Sequence, residues 1–209
     1  MILTKICGIC DQNIAETAVR AGANALGFVF YKKSPRAVTP EVARQIVATL
    51  PPFVTTVGLF VNEKAETIRE IYQQVGLNLI QFHGDESPEF CESIGLPYIR
   101  AIRVVPELDF NQVCQTYPQS RAFLLDAAVS GAYGGTGASF DWSLIPAQLE
   151  KPIILAGGLN SDNVIQACLS VHPYAVDVSS GVEQTKGVKD PSKIWDFLHK
   201  VQMVNARDF

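Results

Sequence analysis

Residues 152–181 read PIILAGGLNSDNVIQACLSVHPYAVDVSSG, and this stretch decides the fold. Pro152–Ala156 is a short aliphatic run that ends in Gly157-Gly158. A stretch with helical periodicity follows over Ser161–Ser170, with Ser161 in the cap position, and then a second short run over Tyr174–Val178. Both runs are too apolar for a strand with one wet face, so each is read as buried on both sides. A strand, a helix and a second buried strand make a right-handed crossover unit with its two strands parallel. Each strand runs out into small residues, Gly157-Gly158 in one case and Ser179-Ser180-Gly181 in the other.

The same unit repeats outward along the chain. Further strands are expected over Ile2–Cys7, Ala25–Phe30, Val54–Phe60, Asn78–His83, Tyr98–Arg103 and Arg121–Asp126. Helices are expected over Asp11–Ala21 with Gly22 as a stop, Val42–Leu50 capped by Thr39-Pro40-Glu41, Lys64–Val75, Ser87–Ile94, Asp109–Thr116 and Asp190–Val201. Trp142–Leu149, broken by Pro146, leaves room only for a short or irregular element, and Arg100 and Arg103 make the fifth strand the weakest of the set. Eight units imply an α/β chain closed into a single (β/α)8 TIM barrel, with an open doubly wound sheet as the structural alternative. At 209 residues the chain is short for a barrel, typically ~250, so residues 1–209 are read as one domain of near-minimal length.

Composition narrows the class. The chain is 47% hydrophobic and 18% charged with a net charge of −4, which suits a soluble globular protein and excludes a disordered one. No apolar run approaches the length of a membrane span, and the amino terminus lacks the pattern of a secretory signal. Five cysteines, an odd number, do not make a disulfide framework, so a cytoplasmic location is expected. The acidic balance and the lack of Lys/Arg runs argue against nucleic acid or membrane as a partner.

In a barrel of this kind, chemistry belongs at the carboxyl ends of the strands. Gly157, Gly158, Ser179, Ser180 and Gly181 sit where such barrels commonly bind phosphate, because glycine lets backbone N–H groups approach an anion; alone, either loop could simply turn the chain. Asp126 terminates the apolar run Phe123-Leu124-Leu125, and desolvation there would suit a general acid; an N-cap or loop hydrogen bond is the plainer reading. Asp177 is expected to belong to the substrate-binding set or, on the plainer reading, to orient loop amides, His83 to reach a ligand, and Arg36 either to fork onto a carboxylate or to lie exposed in its loop. Cys7 and Cys10 form a Cys-x-x-Cys pair, a weak redox motif with no second pair to complete a zinc site, so no metal is expected. Cys91, Cys114 and Cys168 fall in helices as small core residues, and His172 and His199 read as surface positions.

The ordered set of motifs resembles the phosphoribosylanthranilate isomerases over essentially the whole chain. It comprises Lys5-Ile6-Cys7-Gly8-Ile9, Ser34-Pro35-Arg36, Val57-Gly58-Leu59-Phe60, Gln81-Phe82-His83-Gly84, Leu125-Asp126, Gly134-Gly135-Thr136-Gly137 with Phe140-Asp141-Trp142, Leu155–Leu159 and Asp177–Glu183. The resemblance implies an Amadori rearrangement in tryptophan biosynthesis, with no cofactor, acting on a small phosphosugar. It places the general base on Cys7, the general acid on Asp126 and the substrate carboxylate on Arg36, in a monomer or homodimer. A related aminoimidazole carboxamide ribonucleotide isomerase would carry carboxylates in both halves, which the Cys7–Asp126 pair does not match. A non-catalytic phosphosugar-binding barrel would keep the anion loops but need no such pair. The chain departs from the family pattern at Phe82, usually leucine, and at Cys10, usually threonine; the latter raises the hypothesis of a Cys7–Cys10 disulfide that silences the base.

Overall fold

In a computed structural model of the chain, residues 1–127 and 140–206 are described. Eight parallel strands close into a barrel in sequence order: β1 (Leu3–Cys7), β2 (Ala25–Val29), β3 (Thr55–Phe60), β4 (Leu79–Phe82), β5 (Tyr98–Val104), β6 (Phe123–Ala127), β7 (Ile153–Leu155) and β8 (Ala175–Val178). Pairing of β8 with β1, Lys5 beside Asp177, completes the ring and rules out the open sheet. The helices are α1 (Gln12–Arg20), α2 (Pro40–Val47), α3 (Ala65–Val75), α4 (Pro88–Ser93), α5 (Phe110–Thr116), α6 (Val164–Val171) and α7 (Pro191–Asn205). Between β6 and β7 the described residues hold only a 3-10 turn, Trp142–Leu144, the irregular element expected there. Beyond β8 a hairpin of β9 (Glu183–Thr185) and β10 (Val188–Lys189) precedes α7.

Local chemistry starts and stops these elements. Asp11, Thr39, Ser87, Asp109 and Asp190 each cap a helix, accepting from backbone N–H groups of the first turn. Ser161 does not act as the expected cap. Asn160 accepts from the N–H of Asp162 and of Asn163 instead, and the helix starts later, at Val164. α2 ends at Val47, earlier than expected, and α7 continues to Asn205, four residues past the expected Val201.

Two matching clamps lock the strand register at the amino-terminal end of the barrel. Thr4 N–H and Oγ1 both donate to Asn24 Oδ1, and Thr56 N–H and Oγ1 both donate to Asn78 Oδ1. In each case the asparagine follows by two residues the glycine that ends the preceding helix, Gly22 or Gly76; Gly76 takes the left-handed conformation (φ 76°) that an L side chain resists.

The alternation of side chains divides the strands into two faces. Ile6, Leu26, Phe28, Phe60, Ile80 and Val176 pack outward with Ala15, Ile46, Ile68 and Phe197 of the helices. Val57, Ile99, Leu124, Ile154 and Ala175 fill the inside of the barrel. β5 is the longest strand despite its arginines. Arg100 is buried and donates to the Phe82 and Gly84 carbonyls and to Glu86, while Tyr117 covers its guanidinium at 5.3 Å. No helix among the described residues is long and apolar enough to cross a membrane.

Candidate active site

Inward-facing positions turn polar toward the carboxyl end of the barrel: Lys5 and Cys7 on β1, Gln81 and His83 at β4, Asp126 on β6 and Asp177 on β8, all buried. Buried polar side chains need partners, and among the described residues these have them except for Gln81, whose Oε1 has none while its Nε2 meets His83. Lys5 Nζ donates to Asp177 Oδ1 at 2.8 Å. Asp177 is thus a partner of a lysine inside the barrel, which corrects the expectation that it orients loop amides.

The Cys7 thiol lies among Val29, Leu59 and Val61, with Tyr31 against them. Burial pushes it above its ordinary value, while the Lys5 and Lys189 ammonium groups pull it down and Asp177 pushes it up. Cys10 points elsewhere, with Sγ set 3.6 Å from the Gly8 carbonyl, and both sulfurs are free thiols.

On the other side of the mouth, three strands away, Asp126 Oδ2 lies 3.2 Å from His83 Nε2 and Oδ1 accepts from the Ala127 N–H at 2.8 Å. Gln81 Nε2 lies 2.7 Å from His83 Nδ1. With the amide NH2 on that side, Nδ1 accepts and the ring carries its hydrogen on Nε2, aimed at Asp126. A cavity of about 240 Å³ opens here, lined by His83, Arg103 and Asp126.

Arg36 is buried, not an exposed loop arginine. Its stem crosses Gly8, where a Cβ would lie 2.8 Å from Arg36 Cδ, and its fork closes on Glu183 with Nε to Oε1 at 2.6 Å and NH2 to Oε2 at 2.9 Å. Glu183 also accepts from Lys189 Nζ and the Gly187 N–H. Burial pushes the Glu183 carboxyl up, but Arg36 and Lys189 outweigh it and hold the group down to about 2. Lys189 donates in turn to the Ser179 carbonyl and hydroxyl, and Ser179 Oγ donates to the Cys7 carbonyl. A chain of polar contacts therefore ties the arginine to the backbone of the cysteine.

The two small-residue loops lie together. A Cβ on Gly181 would collide with the Leu159 carbonyl. Gly157 has φ 75°, and a Cβ there would lie 2.7 Å from the Ala127 N and 3.1 Å from Asp126 Oδ1, so only glycine fits against the acid's strand. Gly158 and Ser180 are half-buried beside them.

Of the residues singled out from sequence, Cys7, Arg36, His83, Asp126, Gly157, Gly158, Asp177, Ser179, Ser180 and Gly181 all fall at this end of the barrel. The Gly134–Gly137 loop lies outside the described residues. His172 and His199 are exposed, as expected, and Cys91, Cys114 and Cys168 are buried. Lys5, Gln81, Glu183 and Lys189 were not singled out. For the first two the signal was present, since inward alternation from Cys7 and His83 selects Lys5 and Gln81 two residues earlier. No group of three or more His, Cys, Asp or Glu side chains among the described residues is arranged to hold a metal ion.

Comparison with known proteins agrees with this architecture. The family profile described as N-(5'phosphoribosyl)anthranilate (PRA) isomerase matches residues 4–200. The N-(5'-phosphoribosyl)anthranilate isomerase of Pseudomonas putida strain F1 is 57% identical over 201 residues, 96% of this chain and 98% of that protein. The phosphoribosyl anthranilate isomerase crystal structure from Thermotoga maritima superposes with a TM-score of 0.89 at 42% identity, covering 97% of this chain and 100% of that one. A structure of the enzyme in complex with reduced 1-(o-carboxyphenylamino)-1-deoxyribulose 5-phosphate does so with a TM-score of 0.85 at 41% identity and the same coverage. Matched along nearly its full length by the profile, and more than half identical to one of its members, this chain belongs to the N-(5'-phosphoribosyl)anthranilate isomerase family.

Proposed function

We propose that Cys7 is the general base and Asp126 the general acid of the isomerisation that this enzyme carries out in tryptophan biosynthesis, the Amadori rearrangement of N-(5-phosphoribosyl)anthranilate to 1-(2-carboxyphenylamino)-1-deoxyribulose 5-phosphate. The observation that carries the reading is the placement of a thiol and a carboxyl on opposite sides of one barrel mouth, each facing inward at the end of its strand. Asp126 gives its proton to the furanose ring oxygen, and the C1–O bond breaks to leave a protonated Schiff base. The Cys7 thiolate then takes the C2 proton, and the electron pair moves to the nitrogen to give an enolamine. Loss of the C2 hydroxyl proton and protonation at C1 yield the ketone; two protons leave the substrate and two enter it.

His83 holds the Asp126 carboxyl toward the mouth, and Gln81 fixes which ring nitrogen faces it. Gly157, Gly158, Ser179, Ser180 and Gly181 are read as the phosphate cradle, since their two loops meet beside the acid's strand and glycine lets their backbone approach an anion. Arg36 is read as the carboxylate clamp. Two of its fork nitrogens already face Glu183, so the clamp is held rigid by the hairpin instead of swinging free. The enzyme is read as a monomer or homodimer. Residues 1–209 are read as one domain, and five free thiols support a cytoplasmic enzyme.

Fluorescence of freshly made substrate follows turnover. Cys7→Ser and Asp126→Asn are each expected to lower kcat by roughly 10²–10⁴-fold with unchanged circular dichroism. Near-normal turnover in both would sink the assignment.

A further inference from the structure

Lys5 is a buried charge that this reaction scheme leaves unused. Only 3% of it is exposed, and it stands inside the barrel, where the layer below is filled by Val57, Ile99, Leu124 and Ile154. Stripping water from an ammonium and a carboxylate costs several kcal/mol per ion, and a buried pair seldom stabilises more than apolar residues of the same volume would. The Lys5–Asp177 pair therefore has no evident stabilising purpose, although a well-packed apolar layer lies directly beside it.

Its neighbour supplies one. Lys5 and Cys7 share the inward face of β1, two residues apart, and both crowd the same glycine: a Cβ on Gly27 of β2 would lie 3.1 Å from Lys5 Nζ and 2.9 Å from Cys7 Sγ. Gly27 thus keeps open the space in which ammonium and sulfur meet. Among the described residues, the other titratable or charged groups around the sulfur are Tyr31 after β2, Asp177 on β8 and Lys189 of the hairpin, with Glu183 on Lys189 and Arg36 over Gly8 behind them. Asp177 is taken up by Lys5, and Glu183 by Arg36 and Lys189, so each carboxylate is already neutralised by a cation.

We propose that Lys5 is a positioning residue for the isomerisation: its ammonium, locked by Asp177, stabilises the thiolate form of Cys7 in which the sulfur takes the C2 proton. The proposal rests on Cys7 being the base. Two electrostatic effects support it. Burial works against the Lys5 charge, but Asp177 and Cys7 outweigh it and raise Lys5 above its ordinary value, so the group stays an ammonium. Burial pushes the Cys7 thiol up, and Lys5 is the largest influence that opposes it. Free thiols titrate near 8.5, so a base made from a buried one needs such a neighbour.

The test titrates the thiolate of Cys7 directly by its ultraviolet absorbance, as the difference between each protein and the same protein carrying Cys7→Ser. Lys5→Met removes the ammonium, and Lys5→Met with Asp177→Asn keeps the site neutral and near the same volume should the single variant fold poorly. In Lys5→Met the midpoint is expected to rise by about one pH unit or more, and in the double variant by less, because loss of Asp177 also removes a charge that pushes the thiol up; the ascending limb of kcat/KM is expected to move with it, costing about tenfold at neutral pH in the single variant. KM is expected to stay within about twofold, because the effect is on the reacting proton and not on substrate binding. An unmoved thiolate midpoint in a folded variant would overturn the proposal even if activity fell. The base assignment fails separately, through turnover that survives Cys7→Ser, while the absorbance titration still reports what Lys5 does to the sulfur.

Discussion

A buried thiol is a weak nucleophile and a weak base until something holds its charged form, and Cys7 is raised by burial above its ordinary value. The resting enzyme therefore carries a thiol, and kcat/KM is expected to climb with pH through its titration; a pH profile flat across that limb would contradict Cys7 as base. The acid side depends on a tautomer. With the Gln81 amide NH2 toward His83 Nδ1, that nitrogen accepts and Nε2–H is left for Asp126. Gln81→Leu removes that donor and leaves the ring free to place its hydrogen on either nitrogen. We expect kcat to fall up to about tenfold, on the scale of one hydrogen bond between neutral groups, with KM little changed; steady-state kinetics on the fluorescent substrate checks this. His83 was legible in the sequence because it ends a strand. Lys5 was legible only through the alternation of faces counted back from Cys7, since a lysine near the start of an apolar run otherwise reads as an edge of the strand.

Strands and helices were largely legible because their signals are local: apolar runs of the right length, capping residues and stopping glycines. What sequence reading missed at this scale was contact between elements. The Thr4–Asn24 and Thr56–Asn78 clamps each join a strand to the next, and each needs the parallel register before its hydrogen bonds exist. Asn78→Ala strands the Thr56 N–H at the end of the barrel remote from the site, while the Thr56 hydroxyl keeps the Gly76 carbonyl. It should lower stability by about 1–3 kcal/mol in urea unfolding and leave turnover of the folded enzyme unchanged. Gly157→Ala makes the opposite contrast. Its Cβ must displace either the Ala127 N–H or Asp126 Oδ1, and φ is 75°, so turnover should fall together with stability. The β9–β10 hairpin was not foreseen, because its strands are short and half polar, and the pair matters through Glu183 and Lys189, whose side chains meet Arg36 only in the fold.

Across the whole molecule, the hairpin and the loop after β2 share one buried ionic network, joined to the first strand by hydrogen bonds through Ser179, and that network gives stability a pH dependence whose sign follows from Glu183. Glu183 is held at about 2 in the fold against an ordinary 4.5, so its stabilisation is fully present above pH 4.5 and is lost as pH falls toward 2. Glu183→Gln should remove this part of the acid transition and, by leaving Arg36 and Lys189 with no buried carboxylate between them, cost about 3–5 kcal/mol at neutral pH. Urea unfolding at neutral and acidic pH checks both; an unchanged acid transition in the variant would show that Glu183 is not its source. The sequence by itself determined the eightfold repeat, the barrel class and the residues that stand at the strand ends, because periodicity, caps and strand termini are properties of neighbours along the chain. Only the tertiary structure decided that the ring closes between β1 and β8, that Asp177 faces a lysine and not loop amides, and that Arg36 is held by Glu183. Those pairs join residues as far as 172 positions apart, and the cost of burying a charge selects its partner only when the fold has brought the two together.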